Sequence, residues 1–485
     1  MITKLLSRSV TSVRAISTTA PAASALPVRL DELQGWMRDR YPSFKANASQ
    51  IELLSSPSDF QKKFREGIEN ATRSIYISTL YIGEEQHQLI DLLQRRLDER
   101  KDLTLTILAD YNRCTRQTPA HSSASLMAPL TKRFGGRVRV FLYKPNTKLG
   151  ALERLIPPRF KEGFGTQHTK IYCFDDNVLL SGANINTSYF TDRQDRYMHI
   201  SAHPRLTEYM RSFVEQLARF SHKLSCTDDS VQPATYELAW NNDEPAHAYG
   251  EKARIEVENF NQSFRCTDEQ EGDTTIYPLI QAGLWGVRQE EEAVKYLLEA
   301  VNGIPGAKLD ITSGYFSLGE AYKRRIINSR VPTSIIAASP HANGFLGSKG
   351  VSGRIPEAYT HLESKFFRSC VKYGRATTLS LKEWRKDGWT YHCKGIWIRN
   401  EKDDEDCMVT FIGSSNLSGR SSDLDLELSF LMLTESERLG DKLKAELEDL
   451  DEHSSSVNQA TFDDSTRKVS LFTRFLLWIG IDKML

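Results

Sequence analysis

Cysteine is scarce and unpatterned in this sequence. Its seven residues (Cys114, Cys173, Cys226, Cys266, Cys370, Cys393, Cys407) are odd in number, scattered, and contain no C-x-x-C pair, so neither a disulfide framework nor a zinc site is expected, and the compartment is expected to be reducing. Net charge is also missing: 63 basic side chains balance 63 acidic ones, which removes the basic-stripe argument for a nucleic-acid partner. No run of 18 uninterrupted apolar residues occurs, so a membrane is expected to be met peripherally rather than crossed. Acids are absent before Asp31, while Lys4, Arg8, Arg14 and Arg29 stand among many Ser, Thr and Ala. That is a transit-peptide composition, expected over residues 1–25.

What is present is a duplication. SIYISTLYIGE contains Tyr81 and KLDITSGYFSLGE contains Tyr315; each alternates like a strand running into a loop, and both tyrosines are candidate substrate contacts. Each is followed by a helical stretch (LIDLLQRRLDER, AYKRRIINS) and then another strand (LTLTILADY, TSIIAASP). The βαβ order predicts an α/β fold with a mixed sheet in each half. Each repeat closes on paired strands, QHTKIYCFDDNVLLSGANI and YHCKGIWIRNEKDDEDCMVTFIGSSNL, the second with an acidic loop. The expected layout is a first half over 26–223, a polar linker or insertion over 224–272, a second half over 273–451, and a polar spacer with a C-terminal amphipathic segment over 452–485.

The chemistry-bearing residues lie in those closing hairpins. His168, Lys170 and Asp175 form H-x-K-x4-D, followed by Gly182 and Asn184; His392 and Lys394 repeat the H-x-K, followed by Ser414 and Asn416. A spacing of two along a strand puts histidine and lysine on one face. Two such pairs across a pseudo-twofold suit a phosphodiester: lysines and asparagine amides neutralise the oxygens without a metal, one histidine attacks phosphorus and the other handles protons. An acid stands eleven residues after each asparagine, Asp195 and Glu427, and each is expected to fix the tautomer of a histidine. Asp175 either joins this chemistry or caps its hairpin, because Arg399 stands at the corresponding place in the second half.

Accessory candidates are weaker in pattern. The glycine-rich SPHANGFLGSKGVSGRIP offers Lys349 and backbone N–H groups to a phosphate, or is simply a flexible loop; Arg113 in DYNRCTRQ is a second candidate clamp. SLFTRFLLWIGIDKML, with Phe475 and Trp478, is either an interfacial membrane helix or a terminal helix docked on the core.

Duplicated H-x-K-x4-D with G-x-N or G-S-x-N resembles the phospholipase D superfamily, apart from the missing second aspartate. LIPPRFKEGFGTQHTKIY, SGANINTSYFTDRQDRY, ASPHANGFLGSKGVSGRIPEAY and WRKDGWTYHCKGIWI are similar to its mitochondrial phosphatidylglycerophosphate synthase branch, over most of residues 50–445. The resemblance implies two homologous αβ halves packed around a pseudo-twofold site. It also implies transfer of a phosphatidyl group from CDP-diacylglycerol to glycerol 3-phosphate, with release of CMP and no cofactor, on the matrix side of the mitochondrial inner membrane, as an early step toward cardiolipin. By the same analogy His168 attacks and His392 is the base, with the reverse order open. Lys170, Lys394, Asn184, Asn416 and Ser414 would hold the phosphoryl group while Asp195 and Glu427 orient the histidines. A cardiolipin synthase or hydrolase of the same superfamily, or an inactive lipid-binding scaffold, are the rival readings.

Overall fold

Alternating Ile75 and Ile77 drive Ser74–Ser78 into the middle of a sheet, where both are fully buried. The computed structural model describes residues 30–116, 121–147, 155–265, 271–400 and 408–484; the expected transit peptide and the acidic loop at 401–406 lie outside them. In the first half Ser74–Ser78, Thr104–Asp110 and Val138–Tyr143 run parallel, and Ile171–Phe174, Asn177–Ser181 and Tyr197–Ile200 continue the sheet antiparallel on the other side. The second half repeats that order with Ala307–Ser313, Thr333–Ala338 and Leu379–Trp384 parallel, then Lys394–Asn400, Met408–Gly413 and Leu426–Thr434 antiparallel. Crossover helices follow the first strand of each half. His87–Glu99 buries Leu89, Leu93 and Leu97 at helical spacing, and Glu320–Asn328 buries Tyr322 and Ile326.

The halves share one apolar layer. Ile171, Leu180 and Met198 of the first pack in the same cluster as Ile412, Leu428 and Phe430 of the second. Buried Arg196 crosses between them, giving Nη1 to the Phe411 carbonyl at 2.8 Å and its other nitrogens to Glu446 at 2.8 and 2.6 Å, with its guanidinium 3.8 Å from the Trp397 ring. The N-terminal strands also bridge: Phe44–Ala46 joins the second sheet and Ile51–Leu54 the first.

The polar stretch 224–272 carries regular structure. His222–Asp228 pairs with Thr235–Trp240 at the edge of the first sheet, and helix Gly250–Phe264 buries Val257 and Phe260 against Tyr209 and Phe213. Past residue 452, helix Leu471–Trp478 is fastened to helix Ile355–Lys372 by Glu357, which accepts from Ser470 Oγ at 2.9 Å and Thr473 Oγ1 at 2.7 Å. Leu471, Phe472, Phe475 and Trp478 stay exposed. No helix among the described residues is long and apolar enough to cross a membrane.

Asp175 takes the capping arrangement, the second of the two roles its pattern allows. It sits at the far end of Ile171–Phe174 from His168, in a turn with φ of 50°. Its carboxylate accepts from the backbone N–H of Thr72 (2.8 Å), Arg73 (2.8 Å) and Ser74 (2.9 Å) and from Thr72 Oγ1 (2.9 Å). Burial alone would raise its pKa, but these donors, Ser74 foremost, hold it below the usual carboxylate range. Asp175→Ala is therefore expected to lower unfolding free energy by about 1–3 kcal/mol, read by chemical denaturation, because three N–H groups lose their acceptor. An unchanged denaturation midpoint would refute this role.

Candidate active site

Each H-x-K strand starts by pairing with the opposite half. Leu426 N–H donates to the Thr166 carbonyl at 2.9 Å and His168 N–H to the Leu426 carbonyl at 2.8 Å; likewise Thr390 N–H donates to Asp192 at 2.9 Å and His392 N–H to Gln194 at 2.8 Å. The next residue along each partner segment is the acid. Nδ1 of His168 is 2.9 Å from Glu427 Oε2, and Nδ1 of His392 is 2.6 Å from Asp195 Oδ2. The carboxylates thus cross over, each serving the histidine of the other half. Lys170 Nζ donates to the His168 carbonyl at 2.6 Å, and Lys394 Nζ lies over the His392 ring, 2.6 Å from Nδ1 and 3.1 Å from Nε2.

The asparagines differ. Asn184 is engaged, its Oδ1 accepting from Leu80 N–H at 3.3 Å and its Nδ2 donating to Tyr189 Oη at 3.0 Å. Asn416 has its Oδ1 buried without a partner among the described residues. Ser414 locks its hairpin, exchanging bonds with Leu428 at 3.2 and 3.1 Å, and its hydroxyl also favours ionised Glu427. Gly182 is required by close approach: a Cβ there would lie 2.9 Å from Asp195 Oδ1 and 3.1 Å from Lys394 Cδ.

Burial dominates the electrostatics. It pushes Glu427 up to about 7, Asp195 up to about 6 and Lys170 down to about 7, with Lys394 also lowered. It holds both imidazoles well below their ordinary value, helped by Lys170 at His168 and Lys394 at His392. The cluster titrates as a unit. A neutral imidazole giving Nδ1–H to a carboxylate keeps a lone pair on Nε2, the form that attacks phosphorus or takes a proton. At His392 that atom faces Tyr189 Oη at 3.3 Å; among the described residues none bonds Nε2 of His168. Selective ¹⁵N labelling is expected to show both rings neutral and protonated on Nδ1 at pH 6. Titration of either ring near 6.5 would contradict it, because a depressed pKa keeps the charged form below that range.

Other candidates are placed unevenly. Tyr315 stands edge-on to His392 at 5.4 Å and stacks on Tyr359. Tyr81 lies under the Arg113 guanidinium at 4.3 Å. Lys349 is exposed, and its loop comes to the histidines through Gly344 instead, where a Cβ would meet Tyr315 Oη at 3.1 Å. Residues not anticipated include Tyr189, Arg193 and Asp425, and Asp110, whose carboxylate accepts Gln167 N–H at 2.9 Å beside His168. Tyr189 and Arg193 lie in TSYFTDRQDRY, five and nine residues after Asn184. A groove of about 880 Å³ lined by Lys308, Asp310, Lys382 and Arg399 contains none of the histidine-site residues.

No family model matches the chain. It is 34% identical to the mouse mitochondrial CDP-diacylglycerol–glycerol-3-phosphate 3-phosphatidyltransferase over 94% of this chain and 87% of that protein, and 33% identical to the human one with the same coverage. A probable enzyme of that name from Dictyostelium discoideum is 32% identical, covering 93% and 80%. Among solved structures, phosphatidylserine synthase of Haemophilus influenzae superposes with a TM-score of 0.71 over 94% of this chain and 98% of that one, at 22% identity, which establishes the phospholipase D-like fold. On sequence likeness over nearly its full length, the chain belongs to the family of CDP-diacylglycerol–glycerol-3-phosphate 3-phosphatidyltransferases.

Proposed function

We propose that the chain makes phosphatidylglycerophosphate and CMP from CDP-diacylglycerol and glycerol 3-phosphate through a phosphatidyl-histidine, on the route to cardiolipin. The observation that carries the order of events is the unequal Nε2 atoms: among the described residues none bonds that of His168, whereas that of His392 faces the Tyr189 hydroxyl and Lys394 Nζ. His168 Nε2 forms a bond to the phosphatidyl phosphorus as the P–O bond to CMP breaks. CMP leaves with little proton assistance, since the second pKa of a phosphate monoester is about 6. In the second step the acceptor hydroxyl takes the place of Tyr189 Oη at His392 Nε2, gives up its proton there and attacks phosphorus, releasing His168. Lys170 and Lys394 neutralise the phosphoryl oxygens, the Asn416 Nδ2 donates to them, and the crossed carboxylates of Glu427 and Asp195 hold the rings in register.

Purified protein with labelled CDP-diacylglycerol is expected to transfer to glycerol 3-phosphate in preference to water, serine or phosphatidylglycerol. His168→Ala should give no CMP burst. His392→Ala should give one equivalent per site and then turn over roughly 10²–10⁴-fold more slowly. Faster hydrolysis, or transfer to phosphatidylglycerol, would favour the rival enzymes of the superfamily; no reaction with any acceptor would favour the scaffold. A burst confined to His168→Ala would exchange the two histidines.

The proposed setting is the matrix face of the mitochondrial inner membrane, supported by the acid-free N-terminus and by relatives named as mitochondrial. The exposed Phe472, Phe475 and Trp478 supply an interfacial anchor. The segment after it returns to the site rim, where the Met484 carbonyl accepts from Arg420 at 3.1 Å. In fractionated cells the chain should sediment with mitochondrial membranes, and Phe475→Asp with Trp478→Asp should shift it to the soluble mitochondrial fraction. Cytosolic recovery would refute the address, and unchanged sedimentation of the double variant the anchor.

A further inference from the structure

Between the asparagines and the acids, the two halves carry opposite charge at one equivalent position. Two residues before each histidine stands a threonine, Thr166 or Thr390; two before each acid stands Asp425 in the second half but Arg193 in the first. The crossed pairing puts these residues together in equivalent ways: Thr166 Oγ1 donates to Asp425 Oδ1 at 2.9 Å, and Thr390 Oγ1 accepts from Arg193 Nε at 3.0 Å. Asp425 is neutralised by Arg420, Nε to Oδ2 at 2.9 Å. The place equivalent to Arg420 in the first half, four residues past the asparagine, is Ser188. Arg193 therefore has a hydroxyl at Nε and the Tyr189 ring at 4.6 Å, with no carboxylate in ion-pair reach among the described residues. Asp195 feels its charge but is committed to His392 and Lys394.

The surroundings shape that guanidinium into a receptor. Tyr189, on which it stacks, is the residue whose Oη faces His392 Nε2, so Arg193 lies one aromatic ring away from the base. Gly344 comes close on the other side, where a Cβ would be 3.1 Å from both Arg193 Nη2 and Tyr315 Oη, so the absent side chain leaves room beside two donors. On the His168 side the equivalent position is Asp425, and its charge is cancelled by Arg420.

We infer, on the transferase reading above, that Arg193 with Tyr315 binds the phosphate monoester of the acceptor, and so sets its free hydroxyl over His392. A planar guanidinium stacked on a tyrosine and desolvated on one face is suited to a phosphate through paired N–H donors. The distance of one ring between guanidinium and imidazole suits a short polyol phosphate, with phosphate and attacking hydroxyl at opposite ends of a three-carbon chain.

The test uses full-length enzyme, with the wild type first shown to transfer to glycerol 3-phosphate; failure there overturns the transferase reading whatever Arg193 does. Arg193→Gln should raise KM for glycerol 3-phosphate about 10–100-fold, the range for losing a charge-assisted hydrogen bond. Arg193→Lys should recover part of it. KM for CDP-diacylglycerol should move less than about threefold, and CMP should still be released in a burst without acceptor. Equal rises in both KM values, or loss of the burst in Arg193→Lys with an unchanged melting temperature, would overturn the inference in favour of a donor clamp. A fall in kcat with KM for glycerol 3-phosphate unchanged would overturn it in favour of a residue that only positions Tyr189.

Discussion

Everything chemical in this molecule depends on a pair of hydrogen bonds that cross between its halves, from His168 to Glu427 and from His392 to Asp195. Taken singly, each half contains a histidine without its orienting acid. The sites are completed only when Leu426 pairs with Thr166 and His168, and Gln194 with His392, so docking the halves and assembling the chemistry are one event. Crossing also explains why the interface is tied by a buried guanidinium: Arg196 follows Asp195 directly, and its bonds to Phe411 and Glu446 fix the backbone that carries the carboxylate. A shift of one residue along that strand would turn Asp195 to the opposite face.

Collecting two lysines, two acids and two histidines out of water is costly, and the shifted pKa values of Glu427, Asp195 and Lys170 are the signature of that cost. The same desolvation keeps the imidazoles neutral at Nε2, which a nucleophile and a general base both require. Stability and chemistry are thus opposed at the centre and reconciled by the apolar layer around it, where Ile171, Met198, Ile412 and Leu428 pack.

The fold class, the paired histidines and lysines, the asparagines and the two acids were legible because they follow from local periodicity and from repetition. Strand alternation places i and i+2 on one face, and a second copy separates signal from chance. Which acid serves which histidine was not legible, because spacing along the chain carries no information about a contact between residues 168 and 427. Asp175 was left open between two roles for a related reason: its partners, Thr72 to Ser74, lie about a hundred residues earlier, so a turn-capping carboxylate in a hairpin looks the same as a reactive one. The stretch 224–272 reads as polar because Thr235–Trp240 is an edge strand with every second residue exposed, and alternation that half-buries a strand lowers its mean hydropathy. Lys349 illustrates the opposite hazard, a cation in a glycine-rich loop whose approach to the site is made by Gly344.

Duplication yields two equivalent half-sites, yet transfer to an acceptor needs two unequal ones, and beyond the asparagines the inequality includes three neighbouring positions. Tyr189 is matched by Ser421, Arg193 by Asp425 and Ser188 by Arg420, all within eleven residues of the asparagines. These substitutions leave the strand order, the crossed carboxylates and the lysines untouched, and change only what faces each Nε2 and where the surplus charge lies. The likeness to phosphatidylserine synthase extends to the architecture, at 22% identity, and an architecture shared by chains named for different products cannot itself select the acceptor. Selection must reside in side chains that the scaffold tolerates in more than one form. Around His392 the side chains in that position are Tyr189, Arg193 and Tyr315, on a backbone that the half across the interface pairs at His392 and Gln194.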